Sequence, residues 1–194
     1  EERAVKNFNT YLEPTNCKQV IYVGGIANEK SLSKHLWSRK NVENILYQGS
    51  AAVTVLRAAI IVGSGSASFE IIRDLCEKLP IMVTPRWVKT KCQPIAIRDV
   101  LNYLTGVLGN KECYNESFDI GGPDVLSYRE MMEGYARFRK LNLSIVTLPF
   151  LSPKLSSYWL YFVTSTSYKL ALNLVDSMRI EVITSDTRLK DILK

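Results

Sequence analysis

Gln19-Val-Ile-Tyr-Val-Gly-Gly25, then Leu32-Ser-Lys-His-Leu-Trp-Ser-Arg-Lys-Asn-Val-Glu-Asn-Ile-Leu46, then Val53-Thr-Val-Leu56 are the runs that decide the fold. The first is apolar, rich in β-branched residues and stopped by a glycine pair, which reads as a buried strand. Turning by about 100° per residue, the second is a helix with Leu32, Leu36, Val42 and Leu46 on one side. Gly49 closes it, and the third run is β-branched and apolar again. Strand, helix and strand in this order predict a crossover unit with two parallel strands.

Three ionisable residues interrupt the apolar side of that helix. His35, the only histidine of the chain, Arg39 and Glu43 follow one another at fourfold spacing. On one reading they are a ladder along the helix, worth about 0.2–0.5 kcal/mol per favourable pair. Arginine before glutamate is the poorer order for that purpose. The other reading makes them a functional face, because ionisable groups on a buried side need partners. A cation one turn away disfavours the charged form of His35 and leaves it a neutral base.

Outward from this unit, Ala4, Phe8 and Leu12 give a preceding helix that ends before Pro14. It begins at Glu1 and Glu2 inside a helical pattern, without a cap or a methionine, which reads as a cut end. Downstream, the strand from Val53 runs through Arg57-Ala-Ala into Ile60-Ile-Val62 and the turn Gly63-Ser-Gly-Ser66. Phe69, Ile72, Cys76 and Leu79 stripe a helix ended by Pro80, and a short strand at 81–84 precedes a loop over 85–94. A candidate strand at 94–97 follows. Asp99 is placed to cap a helix with Val100, Leu104, Val107 and Leu108 on its apolar side. Ser117-Phe-Asp-Ile120 then leads to Gly121-Gly-Pro123. In Leu126-Ser-Tyr-Arg-Glu-Met131, Ser127 and Glu130 form a capping box and Leu126 and Met131 a hydrophobic staple, so a helix runs to about Arg139. Candidate strands at 145–148 and 180–183 flank helical stretches near 154–162 and 168–175. The alternation predicts an α/β domain with a largely parallel sheet.

At 194 residues, 46% hydrophobic and 23% charged, the chain suits one globular domain or a domain with a lobe. The net charge of +6 is spread without a basic run, which argues against nucleic acid and a membrane surface as partners. No apolar run is long enough to span a bilayer, the nearest lying around 158–163. Cys17, Cys76, Cys92 and Cys113 are far apart, and with one histidine they offer no metal site; reduced thiols in a cytoplasmic protein are expected. Arg86, Trp87, Lys91 and Gln93 form either a clamp for an anionic or flat substrate or a solvated loop anchored by its tryptophan. Tyr158, Trp159, Tyr161 and Phe162 read as core packing or as a pocket lining.

The order of helix, strand ending in small residues, long helix, strand, Leu56-Arg57 with a small residue after it, Gly63 turn, Ile95-Ala-Ile-Arg-Asp-Val100 and Phe118-Asp-Ile-Gly-Gly122 resembles an atypical, extended-type short-chain dehydrogenase/reductase. Within that superfamily it is similar to the NAD-dependent epimerase/dehydratase-like or NmrA-like branch. The resemblance implies a partial Rossmann fold, doubly wound with a mainly parallel sheet, over 1–140. A variable, small substrate lobe is implied for 141–194. It also implies NAD or NADP as cofactor and a small-molecule substrate. The family's glycine-rich pyrophosphate loop is not in these residues, since Gly63-Ser-Gly65 lacks the third glycine. The chain therefore corresponds to the C-terminal two-thirds of such a protein, and alone it is expected to be inactive and to bind a dinucleotide weakly or not at all.

Family members carry Tyr-x-x-x-Lys on the long helix and a Ser or Thr at the end of the preceding strand. The matching positions here are His35 and Arg39, and Gly24 with Gly25. His35 is thus the candidate acid or base. Arg39, Gly24, Gly25, Ala58, Ala59 and Ile60 are the candidate cofactor contacts, with close packing as the other account of the small residues. Two functions follow: an NAD(P)-dependent oxidoreductase or nucleoside-sugar-epimerase-like enzyme, or a non-catalytic NAD(P)-sensing regulatory or assembly protein of NmrA-like type. The family also places the strand at 20–23 beside strands absent here, so an exposed apolar sheet edge and self-association are expected.

Overall fold

Apolar and β-branched runs separated by glycine and proline fold into alternating strands and helices in a computed structural model that describes residues 1–26, 34–148 and 177–194. The first helix, α1 (Glu2–Leu12), leads into β1 (Gln19–Gly25), α2 (Lys34–Leu46) and β2 (Ala52–Ala58). Next come β3 (Ile61–Val62), α3 (Ala67–Lys78), β4 (Ile81–Thr84), a 3-10 turn at Arg86–Lys89, β5 (Lys91–Cys92) and β6 (Ile95–Ala96). The chain continues through α4 (Ile97–Val107), a 3-10 turn at Lys111–Cys113, β7 (Glu116–Ile120), β8 (Leu126–Ser127), α5 (Tyr128–Arg139) and β9 (Ser144–Thr147), and ends with α6 (Arg188–Ile192).

The main sheet has the order β1-β2-β7, with both pairings parallel. Its side chains alternate between two covered faces, which is what a doubly wound sheet requires. Val53, Val55, Val20 and Tyr22 meet Val5 of α1 and Val42, Ile45 and Leu46 of α2 on one face. Leu56, Ala58, Phe118, Ile120, Ile21 and Val23 meet Val100 and Val107 of α4 and Leu189 of α6 on the other. Burying such a side chain contributes about 1.5–3 kcal/mol. β2, with Val53, Val55 and Leu56 all at 0–1% exposure, therefore carries more of this core than β1, every residue of which is half-buried. Among the described residues β1 pairs only with β2. A groove of about 430 Å³ borders it, lined by Ala4, Phe8, Val20, Tyr22, Arg39 and Val42 among others.

A second cluster packs α3, β4, α5 and β9 around Ile71, Leu75, Met82, Met132 and Ile145, and Met178 from the C-terminal segment joins it. β4 and β9 are parallel, as are β3 and β6, whereas β5 and β8 are antiparallel. Where the turn after β7 crosses the start of β6, a Cβ on Gly122 would lie 2.1 Å from the Pro94 carbonyl oxygen. Only glycine lets the two backbones pass that closely.

Several expectations shift. The strand predicted from 53 to 62 is two strands: Ala59 N–H donates to Ile120 and Ile95 N–H to Ile60, so the chain changes partner between β7 and β6. On α1 the buried residue is Val5, and Phe8 is 45% exposed. Asn9 occupies the α2 side of that helix, donating to the Ile45 carbonyl. Asp99 lies in the first turn of α4 and does not cap it; the N-cap is Ala96, which has no side-chain acceptor. Residues 180–183 form a single bridge, Val182 with Cys92, and not a strand. The predicted helices at 154–162 and 168–175, and the aromatics Tyr158, Trp159, Tyr161 and Phe162, lie outside the described residues. Ser127 and Glu130 form the expected capping box at the start of α5.

Candidate functional site

The charges on α2 find their counterpart on β2. Glu43 is 4% exposed and accepts two hydrogen bonds from Arg57, one from Nε at 3.1 Å and one from Nη2, and a third from Lys40 Nζ at 3.1 Å. Burial works to raise the Glu43 carboxyl, yet the Arg57 hydrogen bonds and charge, joined by Lys40, outweigh it and hold the group below the ordinary carboxylate range. Arg57 also sits 4.0 Å from Asp119, its register partner on β7. Asp119 in turn accepts from the backbone and hydroxyl of Ser185. Helix, sheet and C-terminal segment are thus joined by one charged chain that leaves Arg39 out.

Arg39 faces a cleft of about 320 Å³ at the carboxyl ends of β1 and β2. Gly24, Gly25, Arg39, Ala58, Ala59 and Ile60 all line it. Crevices outside the carboxyl ends of parallel strands are where open α/β sheets bind ligands. A Cβ on Gly25 would come within 3.3 Å of Leu36, and one on Gly24 within 3.2 Å of the Tyr22 ring, so bare backbone forms the floor here. Val23, Ala58 and Ile61 belong to the core on the α4 side of the sheet, while Tyr128, Ile60, Met178 and Val182 belong to the second cluster. The cleft is the seam between these two bodies of packing.

His35 is the second residue of α2, and its side chain lies outside the described residues. The loop candidates do not join the cleft. Trp87 is 6% exposed, packed edge-on against Tyr128 at 5.8 Å, and Arg86 is exposed. Lys91 donates to Glu130 at 2.9 Å. Gln93 ties Gly122 to Thr184, donating to the Gly122 carbonyl and accepting from the Thr184 backbone and hydroxyl. These contacts support the reading of a loop anchored by its tryptophan.

Tyr128 and Ser68 are among the lining residues that the sequence did not single out as site candidates. Tyr128 follows the capping-box serine directly, so its place at the first turn of α5 was legible, though not the wall it would meet. Burial pushes its phenol well above the ordinary range. All four cysteines are free thiols, and burial pushes those of Cys76 and Cys92 up to about 12, which removes them as nucleophiles near neutral pH. Among the described residues no cluster of three or more His, Cys, Asp or Glu is placed to hold a metal, and no helix is long and apolar enough to cross a membrane. Among the described residues no carboxylate lines the cleft, and what these residues offer a ligand is an apolar wall, the Arg39 guanidinium and hydroxyl groups.

No family profile matches the sequence, and neither does any curated protein. Solved structures do match. A nucleoside-diphosphate-sugar epimerase from Staphylococcus aureus aligns with a TM-score of 0.73 at 12% identity, over 97% of this chain and 64% of that one. Triphenylmethane reductase from Citrobacter sp., complexed with NADP(H), aligns with a TM-score of 0.75 at 13% identity, over 99% and 66%. UDP-glucuronic acid 4-epimerase from Bacillus cereus, in complex with UDP-glucuronic acid and NAD, gives 0.61 at 12%, over 91% and 66%. The chain therefore spans between 64% and 66% of the length of these proteins. The likeness is one of fold: the Rossmann-type fold of NAD(P)-dependent epimerases, dehydratases and reductases, as the resemblance implied.

Proposed function

We propose that these residues form the nicotinamide-facing part of an NAD(P)-dependent protein of the oxidoreductase or nucleoside-sugar-epimerase kind. The observation that carries this reading is the convergence of Gly24, Gly25, Arg39, Ala58, Ala59 and Ile60 on one cleft at the carboxyl ends of adjacent parallel strands. Its features fit the nicotinamide riboside half of the cofactor. The glycine floor admits a flat ring against backbone, the alanines and Ile60 give it an apolar wall, and Arg39 donates to hydroxyl oxygens without being able to release a proton. When bound, the cofactor supplies or accepts the hydride. His35 is the proposed acid or base, and the substrate is a small molecule.

No glycine-rich pyrophosphate loop occurs in the sequence, so these residues alone are expected to grip a dinucleotide weakly and to turn nothing over. Calorimetric titration of the 194-residue chain tests this. Reduced nicotinamide mononucleotide is expected to bind about as well as NADH, and Arg39→Ala to weaken both; micromolar NADH binding, or indifference to Arg39→Ala, counts against the reading.

A second reading, a sensor that binds NAD(P) without turnover, is favoured by the replacement of the family's Tyr, Lys and Ser. With the longer protein, His35→Ala separates the two: an enzyme loses cofactor oxidation and keeps binding, whereas a sensor has no oxidation to lose. The edge of β1, which no described strand pairs, and the apolar groove beside it support self-association. Light scattering over a wide concentration range should then show mass rising with concentration, and a constant monomer mass would remove the idea.

A further inference from the structure

A glutamate one helical turn beyond an arginine is its ready partner, since the Cβ atoms of such a pair stand about 5–6 Å apart. Glu43 holds that place relative to Arg39, yet its carboxylate is taken elsewhere. Its Oε2 accepts from Arg57 Nε at 3.1 Å, and its Oε1 from Arg57 Nη2 and from Lys40 Nζ. No hydrogen bond or ion pair joins Arg39 to any of the described residues. Glu1, the carboxylate that borders the groove beside β1, accepts from the Ser38 hydroxyl. Arg39 lines both that groove and the cleft, and among the described residues its charge is uncommitted.

The sheet explains how Arg57 comes to hold Glu43. Val53, Val55 and Arg57 alternate onto the face that α2 covers, and the register partner of Arg57 on β1 is Gly24, which puts no side chain beside it. The planar guanidinium meets both carboxylate oxygens at once. Such a two-point pair outcompetes the contact available to Arg39, which runs in the poorer order along the helix, arginine before glutamate. Resting on the reading of the cleft as a cofactor site, we infer that Arg57 is a positioning residue that keeps Arg39 free for the ligand by occupying Glu43. Without Arg57, Oε2 of this buried carboxylate loses its partner and turns to the Arg39 guanidinium, whose charge is then spent within α2.

The test is a rescue. In calorimetric titrations of the 194-residue chain, Arg57→Met should weaken binding of reduced nicotinamide mononucleotide by about 3- to 10-fold, the span of one lost hydrogen bond. It should also slow the modification of Arg39 by phenylglyoxal, followed by peptide mass spectrometry. Adding Glu43→Gln removes the competing carboxylate, and both affinity and reactivity should return towards the wild type. A merely structural pair predicts the reverse, a double variant no better than the single one. That result, or wild-type binding and Arg39 reactivity in Arg57→Met, overturns the inference. Arg57→Lys, which bonds only one of the two oxygens, should show the same pattern at reduced size and serves if Arg57→Met folds poorly. Phenylglyoxal needs no cofactor, so the expected reactivity pattern in a chain that fails to bind the mononucleotide would sink the cofactor reading and spare this one.

Discussion

α2 and α5 each depend on a glutamate held below the ordinary carboxylate range, but the partners come from different distances. Glu130 of α5 is depressed to about 2, first by Lys91 and then by the backbone and hydroxyl of Ser127 three residues before it. It stays half-exposed in water. Glu43 of α2 is buried, and its chief partner, Arg57, stands 14 residues away on the next strand. One carboxylate closes the start of its own helix; the other fastens a helix to the sheet. A local device stiffens one element, whereas a long-range one fixes where two elements sit, and the cleft depends on the second kind.

The comparison predicts unequal losses. Glu43→Ala leaves Arg57 in a largely buried place without its two closest hydrogen bonds, with Asp119 at 4.0 Å as the nearest remaining carboxylate, and is expected to cost about 2–3 kcal/mol in urea denaturation. Adding Arg57→Ala should cost less than the sum of the two single changes, since residues of one network couple. Strict additivity would show that the pair is not a unit. Ser127→Ala removes only a cap and should cost about 1 kcal/mol. Lys140, which ends α5 at a φ of 55°, should gain about 0.5–1 kcal/mol on replacement by glycine, which takes that conformation without strain. No gain would mean that the end of α5 is held by more than its own backbone.

The smallest effect is a slope. Both glutamates have folded pKa values below the unfolded value of 4.5. Their contribution is therefore complete above that pH and is lost as pH falls through the folded value, for Glu130 down to about 2. Stability measured from pH 5 towards 2 should fall less steeply in Glu130→Gln than in the wild type, and an unchanged slope would assign the acid response to other groups.

The same contrast explains what could be read in advance. The α5 box was legible because its members lie within three residues, and the strand–helix alternation because each element patterns its own apolar positions. The cleft was legible only through strand ends: Gly24, Gly25, Ala58 and Ala59 close two strands that any crossover must bring side by side. Glu43 was seen to need a partner, but nothing in its own stretch names Arg57, whose proximity depends on the parallel register. Tyr128 was hidden for the same reason, because its first-turn position says nothing about Trp87 or the glycine floor. Val5 displaced Phe8 since a short helix can rotate by one residue and still bury a valine, with Asn9 bonding to Ile45 setting the phase. The strand from 53 to 62 broke because its two halves find different partners, a choice invisible along a continuous apolar run.

The parallel registers also set an order in time. β1 and β2 meet in a register such as Gly25 with Ala58 and can pair once Ala58 has been made, whereas β4 meets β9 across 63 residues, as the Thr84–Thr147 pair shows. Closing the longer loop is entropically dearer and is deferred. During synthesis the glycine and alanine wall is therefore expected to stand before the Tyr128 wall exists, leaving an apolar half-site open to chaperones or other chains. Pulsed hydrogen exchange during refolding should find β1 and β2 protected ahead of β4 and β9, and simultaneous protection would mean that the two walls are born together.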